Sequence, residues 1–376
     1  MAGAPDPSAA WHIAHFFAYS ALPAAASPAA LRGTQSTATA AVAARINRFI
    51  EPPSGRRNRT STHLDCTPPS IGSADRPGIP LVHAVIQVYD TGVTTRRSFT
   101  ASLLAVSTLR AANPLARLRI GVTDWNLQMA SNPEALALAA SLGFEGVEVS
   151  LGRRAIGEKL QLDDRTLQDS YLAAAAKHKV ALAGTCLNIL HVNYLKNDPL
   201  GRKWVADGIP ITQRLGARVM LLPFFGKGAI EERAEQDFVA ESLKPLAPRA
   251  EKAGVLLGLE NTISAEANAR IIDKVGSPAL KVYYDVGNSA PRGFDVVKEI
   301  RWLGRDRICQ FHLKDNPHFL GEGSIPFPAV LESIASLGGF SGFANLETSA
   351  PSKSVPDDMR RNLAFIRKLL SPYAAA

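Results

Sequence analysis

The chain has 376 residues, of which 46% are hydrophobic, and a formal net charge of +8; this is enough apolar sequence for the core of one large α/β domain or of two ordinary ones. Residues 1–116 contain ten Arg, no Lys and five acidic residues, whereas residues 117–376 contain 32 basic and 29 acidic residues. Because more than half of the excess positive charge lies outside the predicted folded domain, the composition argues against a nucleic-acid partner.

The first 92 residues carry no pattern of regular structure. They are rich in Ala, Pro, Ser, Thr and Arg and show neither a helical nor a strand period. We interpret residues 1–92 as a disordered low-complexity extension, or as a gene start placed too far upstream. A targeting tail is the alternative, because Arg and Ser with few acids also describe a transit peptide. The chain has no run of about 18 strongly apolar residues, so no membrane span is expected.

Residues 93–116 carry the features of an export signal. Arg96 and Arg97 precede a modest apolar stretch at 99–109, which is followed by several alanines. This order resembles a twin-arginine signal and predicts a periplasmic protein whose mature form begins near Leu118. The alternative is a chance pair of arginines in an Arg-rich tract, in which case we expect a cytoplasmic protein.

From Leu118 onward, eight short aliphatic or β-branched runs alternate with amphipathic stretches. The predicted strands are 118–122, 146–149, 180–186, 218–222, 255–260, 281–285, 308–313 and 343–347. The predicted helices between them include 132–143, 165–178, 236–254, 266–276, 326–338 and 357–370. This alternation predicts a parallel α/β architecture, and eight units match one (β/α)8 TIM barrel over residues 117–372. An open doubly wound sheet is the alternative, but it requires a glycine-rich phosphate loop after the first strand, and "IGVTDWNLQMASNP" contains none.

The last four predicted strands each end in an acid or imidazole side chain. These residues are Glu260, Asp285, His312 and Glu347, in "VLLGLENT", "KVYYDVGN", "ICQFHLKD" and "GFANLETS". Any one of them alone could be a helix cap or a core histidine. In a parallel barrel, however, all four project from the mouth at which such barrels place their chemistry. Three carboxylates and one neutral imidazole suit a divalent cation, with Mn²⁺ or Mg²⁺ preferred and Co²⁺ or Zn²⁺ as alternatives.

These motifs resemble those of the xylose isomerase-like sugar phosphate isomerase/epimerase superfamily, the AP endonuclease 2-like group. The resemblance covers residues 117–370 and rests on "LENT", "YDVGN", "HLKD" and "LET" in this order and spacing. It implies that all four strand-end residues bind metal and that Glu260 and Glu347 also act as acid and base. The endonuclease IV branch holds several zinc ions and needs more histidines than the four in the predicted barrel, so DNA repair is not expected.

The chemistry of sugar isomerisation explains these residue types. Moving a proton on a carbon next to a carbonyl creates an enediolate, whose negative charge a divalent cation stabilises as a Lewis acid. Two carboxylates on opposite faces of the substrate can remove and return the proton. Asp285 and His312 then serve as ligands only, with the neutral imidazole oriented by an acceptor behind it.

We therefore expect a divalent-metal-dependent isomerase or epimerase acting on a sugar, keto-sugar or sugar phosphate. The alternative is a lyase or dehydratase that acts on a keto-sugar, inosose or 3-keto glycoside at the same site, because the same enediolate can expel a neighbouring substituent. The expected partner is a small carbohydrate, and a homo-oligomer is left open.

Several further side chains are candidates for substrate binding. Lys314 could neutralise an enediolate oxygen or a phosphate, or could form a surface ion pair. Asn261 and Asn288 could bind sugar hydroxyls or act as turn residues, and Trp125 could form the wall against which a sugar ring lies or pack beneath loops. The resemblance adds Glu148, in "GVEVS", as a carboxylate that faces the substrate.

Two positions depart from the pattern of ketohexose 3-epimerases. That subfamily has a histidine three residues after the aspartate ligand and an arginine six residues after the histidine ligand, and both contact substrate. Asn288 and His318 stand at these positions here. These departures argue against a direct assignment as a ketohexose 3-epimerase, and the substrate is expected to be recognised by Asn288, Lys314 and His318.

Overall fold

The computed structural model describes residues 113–374, and eight strands of this part form one closed parallel barrel. The strands are β1 (Leu118–Thr123), β2 (Gly146–Ser150), β3 (Ala181–Cys186), β4 (Val219–Pro223), β5 (Leu256–Glu260), β6 (Leu280–Asp285), β7 (Ile308–Leu313) and β8 (Gly342–Leu346). Each strand pairs with the next along the chain, and β8 closes the barrel on β1. The predicted fold class is confirmed, and each predicted strand end agrees with the structure to within one residue. The predictions for residues 1–92 and for the export signal up to residue 112 lie outside the described part.

Helices follow the strands around the outside of the barrel. They are α1 (Glu134–Leu142), α2 (Arg165–His178), α3 (Pro199–Arg214), α4 (Arg233–Leu243), α5 (Ala247–Ala253), α6 (Ala265–Val275), α7 (Val286–Ser289), α8 (Val296–Arg307), α9 (Phe327–Ala335) and α10 (Val355–Ala374). Among the described residues, no helix is long and apolar enough to cross a membrane.

The helices α7 and α8 are absent from the predicted set, and two further differences from the sequence prediction have a clear physical reason. The single helix predicted at 236–254 is in fact two, α4 and α5, because Pro245 has no N–H group to continue the helical hydrogen bonds and its ring crowds the carbonyl one turn earlier. Helix α3 is absent from the predicted set, because Gly201, Gly208 and Pro210 interrupt it with residues of low helix propensity. It nevertheless forms, since its N-terminus is capped and its apolar face is buried.

The alternation of side chains along the strands divides the barrel into an outer core and an interior. On β2, Val147 and Val149 belong to the large hydrophobic cluster that includes residues of the surrounding helices, whereas Glu148 points to the opposite face and into the barrel. Because side chains alternate along a strand, the residue two positions before each predicted metal ligand also points into the barrel. These residues are Gly258, Tyr283, Gln310 and Asn345. A layer of side chains therefore lies below the mouth, inside the barrel.

We call the polar side chains of this level the interior layer: Glu148, Tyr283, Gln310 and Asn345. All four are buried, and glycines on other strands of the barrel make room for two of them. A Cβ atom on Gly121 would lie 2.0 Å from the Asn345 Oδ1 atom, and one on Gly184 would lie 3.2 Å from the Gln310 Oε1 atom. The glycines of β1 and β3 are thus needed for space.

The variant Gly121→Ala is expected to lower the free energy of unfolding by about 1–3 kcal/mol, the usual effect of overpacking a core. The physical reason is the 2.0 Å approach to Asn345, which would force that side chain out of its hydrogen bonds. Urea unfolding followed by circular dichroism measures the change. Gly184→Ala, with its looser 3.2 Å approach, is the control and should lose less; equal losses in the two variants would contradict this explanation.

Candidate active site

The structure brings the four predicted metal ligands together at the mouth of the barrel, on the side where the strands end. We call this group the ligand cluster: Glu260, Asp285, His312 and Glu347. One ligand atom from each residue lies within 4.8 Å of those of the other three. His312 is completely buried and Glu347 is the most open, with 19% of its side chain exposed. The cluster therefore sits at the base of the mouth, with Glu347 nearest to solvent.

The charges of the ligand cluster act on each other strongly. Burial raises the pKa of Glu260 to about 8, with repulsion from Glu347 and Asp285 adding to the rise and His312 opposing it. Burial also acts to raise the pKa of Asp285, but the positive charges of Lys314 and His312 outweigh it and bring this pKa well below its ordinary value. For His312, burial acts to lower the pKa, and the surrounding carboxylates raise it well above its ordinary value. The cluster therefore has a strong demand for positive charge.

Lys314 supplies part of that charge. Its Nζ atom lies 2.7 Å from the Asp285 Oδ2 atom and 2.5 Å from the Glu347 Oε2 atom, and only 14% of its side chain is exposed. The ion pair is thus largely buried and involves two of the predicted ligands, unlike the surface ion pair considered as the alternative. Gly287 makes room for the lysine, since a Cβ atom there would lie 2.3 Å from the Lys314 Cγ atom.

Asn288 and Trp125 both contact carboxylates of the ligand cluster. The Asn288 Nδ2 atom lies 3.0 Å from the Asp285 Oδ2 atom and 3.2 Å from the Glu260 Oε1 atom. The Trp125 Nε1–H group donates to the Glu347 Oε1 atom at 3.0 Å. Each side chain therefore helps to fix the orientation of a carboxylate.

Asp285 is held by the backbone as well as by side chains. It caps the N-terminus of α7, where its Oδ1 atom accepts hydrogen bonds from the N–H groups of Gly287 at 2.7 Å and Asn288 at 3.1 Å. Its Oδ2 atom faces Lys314 and the rest of the cluster. The two oxygens thus have separate roles, one structural and one directed to the site.

Glu148 lies deeper than the resemblance implied. Its side chain is fully buried, and its Oε2 atom is 2.8 Å from the His312 Nε2 atom, on the side of the imidazole that faces away from the other acids. The structure therefore places it behind a predicted ligand, and its contact with the substrate stays a prediction. The cause is its position two residues before the end of β2, one level below the mouth.

Asn261 is also directed away from the ligand cluster. It follows Glu260 directly, so the alternation of side chains turns it outward. Its Nδ2 atom donates to the Asn268 Oδ1 atom at 2.8 Å, and its Oδ1 atom accepts from the Asn268 Nδ2 atom at 3.1 Å. These bonds anchor α6 to the end of β5.

His318 is exposed, on the loop between β7 and α9. Asp315 organises this loop by accepting hydrogen bonds from four backbone N–H groups, those of Gly321, Gly323, Ser324 and Ile325. The role of His318 in substrate binding stays a prediction.

The sequence analysis missed three members of the interior layer: Tyr283, Gln310 and Asn345. They connect to one another and to Glu148: the Tyr283 hydroxyl donates to the Glu148 Oε2 atom at 2.8 Å, and the Asn345 Nδ2 atom donates to the Tyr283 hydroxyl at 2.8 Å. The signal was present, because each of the three stands two residues before a predicted ligand.

Asp124 is a buried acid that the sequence analysis did not single out. Burial raises its pKa to about 7, although its hydrogen bonds to Ser150 and Ser131 act to lower it. Its Oδ1 atom accepts from the Ser150 hydroxyl at 2.6 Å, and its Oδ2 atom accepts from the backbone N–H groups of Ser150 at 2.8 Å and Ser131 at 3.0 Å. It therefore ties the loop after β1 to the end of β2.

Comparison with known proteins gives relatives for this arrangement. Residues 136–369, more than half of the chain, match the family described as "Xylose isomerase-like TIM barrel". A 2-epi-5-epi-valiolone 7-phosphate 2-epimerase of an Actinoplanes species is 28% identical over 203 residues, which cover 53% of this chain and 73% of that protein. A putative L-ribulose-5-phosphate 3-epimerase of Escherichia coli K12 is 29% identical over 236 residues, covering 54% of this chain and 79% of that protein. The solved structure of an L-ribulose 3-epimerase shares the fold, with a TM-score of 0.56 and 19% identity over 69% of this chain and 96% of that chain.

Proposed function

Since the chain belongs to the xylose isomerase-like TIM barrel family, we propose that it is a divalent-metal-dependent isomerase or epimerase of a sugar, keto-sugar or sugar phosphate. The observation that carries the proposal is the convergence of four ligand atoms within 4.8 Å of one another, two of them from glutamates. The comparisons support a sugar isomerase or epimerase, because both curated relatives bear the names of epimerases acting on phosphorylated compounds.

The donor atoms of the ligand cluster fit a divalent cation. Three carboxylates and one imidazole nitrogen offer mainly hard oxygen donors, which favour Mn²⁺ or Mg²⁺ over softer ions, with Co²⁺ or Zn²⁺ as alternatives. The close approach of three acids, with Lys314 as the neighbouring cation, supports the binding of a further positive charge at this point. When bound, the cation would act as a Lewis acid that stabilises the negative charge of an enediolate.

Glu260 and Glu347 are the proposed acid and base. They come from β5 and from the end of β8, the first and last of the four strands that supply the cluster. Both carboxylates are oriented by hydrogen bonds: Glu260 by Asn288, and Glu347 by Trp125 and Lys314. Carboxylates held on two sides of a substrate can remove a proton from one face and return it to the other.

Lys314 is the proposed electrostatic contact for the substrate. Its ammonium group lies between two acids of the cluster, and 14% of its side chain is exposed. From there it would bind a developing oxyanion or a phosphate oxygen by a charge-assisted hydrogen bond. Trp125 is proposed to line the same side of the mouth, since its indole ring contacts Glu347. Asn288 and His318 are proposed to contact the substrate on the side opposite to Lys314 and Trp125.

A proton-exchange screen in D₂O tests the proposed function. Candidate substrates are ketoses, keto-sugar phosphates, inososes and 3-keto glycosides, incubated with the metal-loaded protein. Deuterium incorporation next to the carbonyl, together with an epimeric or isomeric product, is the expected result. A product that has lost a substituent would instead identify elimination, and no exchange with any of the four classes would argue against enediolate chemistry.

A further inference from the structure

We propose that Glu148 is a positioning residue, which holds the His312 imidazole with its proton on Nε2 so that the Nδ1 lone pair is presented to the metal. This inference rests on the metal site proposed above. It gives Glu148 a role different from the substrate contact that the family resemblance implied.

The His312 imidazole directs one ring nitrogen toward the ligand cluster and the other toward Glu148. His312 is completely buried between acids on both sides. Its Nδ1 atom faces the ligand cluster, 2.9 Å from the Glu260 Oε1 atom, 3.5 Å from the Glu347 Oε2 atom and 3.6 Å from the Asp285 Oδ2 atom. A nitrogen that binds a metal must supply a lone pair, so in the neutral imidazole the proton belongs on the other nitrogen.

The Glu148 carboxylate is surrounded by groups that can donate hydrogen bonds to it. Its Oε2 atom lies within hydrogen-bonding distance of three nitrogen or hydroxyl groups: His312 Nε2 at 2.8 Å, the Tyr283 hydroxyl at 2.8 Å and Asn345 Nδ2 at 3.2 Å. An oxygen approached by that many donors acts as an acceptor. Glu148 is therefore arranged to receive the Nε2 proton of His312.

The rest of the interior layer fixes Glu148 in turn. The Asn345 Nδ2 atom lies 3.4 Å from the Gln310 Oε1 atom, and the Gln310 Nε2 atom donates to the backbone oxygen of Ala183 on β3 at 2.6 Å. A continuous polar path thus runs from the β3 backbone through the layer to His312. Because Glu148 has no exposed surface, its influence on a substrate would pass through the imidazole.

A carboxylate behind a metal-bound histidine fixes the tautomer and increases the basicity of the ligand, and its loss usually costs 10- to 100-fold in metal affinity or activity. A role confined to filling the barrel would leave metal affinity unchanged in any variant that folds. The two roles therefore differ in a property that can be measured without a substrate.

The test compares Glu148→Gln with Tyr283→Phe. The first variant removes the charge that faces His312, whereas the second removes one donor to Glu148 and leaves the Glu148–His312 pair intact. Mn²⁺ affinity is measured by isothermal titration calorimetry, and the ligand field is followed by the visible absorption of the Co²⁺-loaded protein. We expect Glu148→Gln to bind Mn²⁺ about 10- to 100-fold more weakly with a changed Co²⁺ spectrum, and Tyr283→Phe, which keeps the Glu148–His312 pair, to lose less affinity than Glu148→Gln.

Wild-type affinity and spectrum in a folded Glu148→Gln variant would overturn the inference. If that variant does not fold, ¹H and ¹⁵N NMR of the wild-type protein loaded with diamagnetic Mg²⁺ or Zn²⁺ decides: an Nε2 proton of His312 that is shifted downfield by a hydrogen bond to the Glu148 carboxylate supports the proposal, and an Nε2 proton without that hydrogen bond contradicts it. The proposed function has a separate readout: if the wild-type protein binds no divalent cation, the metal site itself is wrong.

Discussion

Replacing either Glu260 or Glu347 with glutamine is expected to abolish epimerisation, with a loss of at least 10²- to 10⁴-fold in kcat, the usual contribution of a general acid or base. Glutamine keeps the shape and one oxygen donor of each side chain but can no longer take up a proton. Turnover is measured with the substrate found in the D₂O screen, and bound metal is measured in each variant so that loss of the cation is separated from loss of the base.

Proton exchange sharpens this test. In a mechanism with two bases, each glutamate faces the C–H bond of one epimer. A variant that has lost one glutamate should therefore still exchange the proton of one epimer with D₂O and fail with the other, and the second variant should show the reverse preference. Glu266→Gln, an exposed position on α6, is the matched control and should behave as wild type. Near-normal turnover in Glu260→Gln or Glu347→Gln would sink the assignment.

Removal of divalent cations is expected to abolish turnover, and Mn²⁺ or Mg²⁺ to restore it. The chain's own residues hold three carboxylates and an imidazole within 4.8 Å, and the proposed enediolate would require additional positive charge at this point. Binding should also stabilise the fold, by about 2.7 kcal/mol when the free metal concentration is 100 times the Kd. Activity and thermal unfolding are followed before EDTA dialysis, after it, and after each metal is added back.

The variant Asp285→Asn tests the same metal requirement. It weakens one predicted ligand and leaves the proposed acid and base, Glu260 and Glu347, unchanged. This variant should lose both the activity and the metal-dependent rise in thermal stability. Full activity in protein shown to be free of metal by elemental analysis would refute the metal requirement.

Local sequence patterns were sufficient for the barrel and for the ligand cluster. Strand ends in a parallel barrel meet at one mouth, so the position of Glu260, Asp285, His312 and Glu347 at successive strand ends determined that they converge. The sequence could not give the partners of these residues. The bridge from Lys314 to Asp285 and Glu347 joins three different parts of the chain, and its geometry depends on how far the lysine reaches back over the strand ends.

Two other expectations were limited by strand boundaries. The predicted second strand ended at Val149, whereas β2 continues to Ser150. Glu148 is therefore two residues from the strand end, and its side chain lies one level below the mouth. Asn261 was considered as a substrate contact although it follows an inward-facing glutamate, and strict alternation turns it toward Asn268. In both cases the number of residues from the strand end decides which side chain reaches the site.

The contact between Gly287 and Lys314 has an evolutionary consequence. These residues belong to separate motifs, "YDVGN" and "HLKD", yet a methyl group on the first would lie 2.3 Å from the stem of the second. The same methyl group would lie 2.9 Å from the backbone oxygen of Lys314, so the backbone after β7 excludes a side chain at 287 independently of the lysine stem. In homologous chains the glycine should therefore be retained even where another residue replaces the lysine.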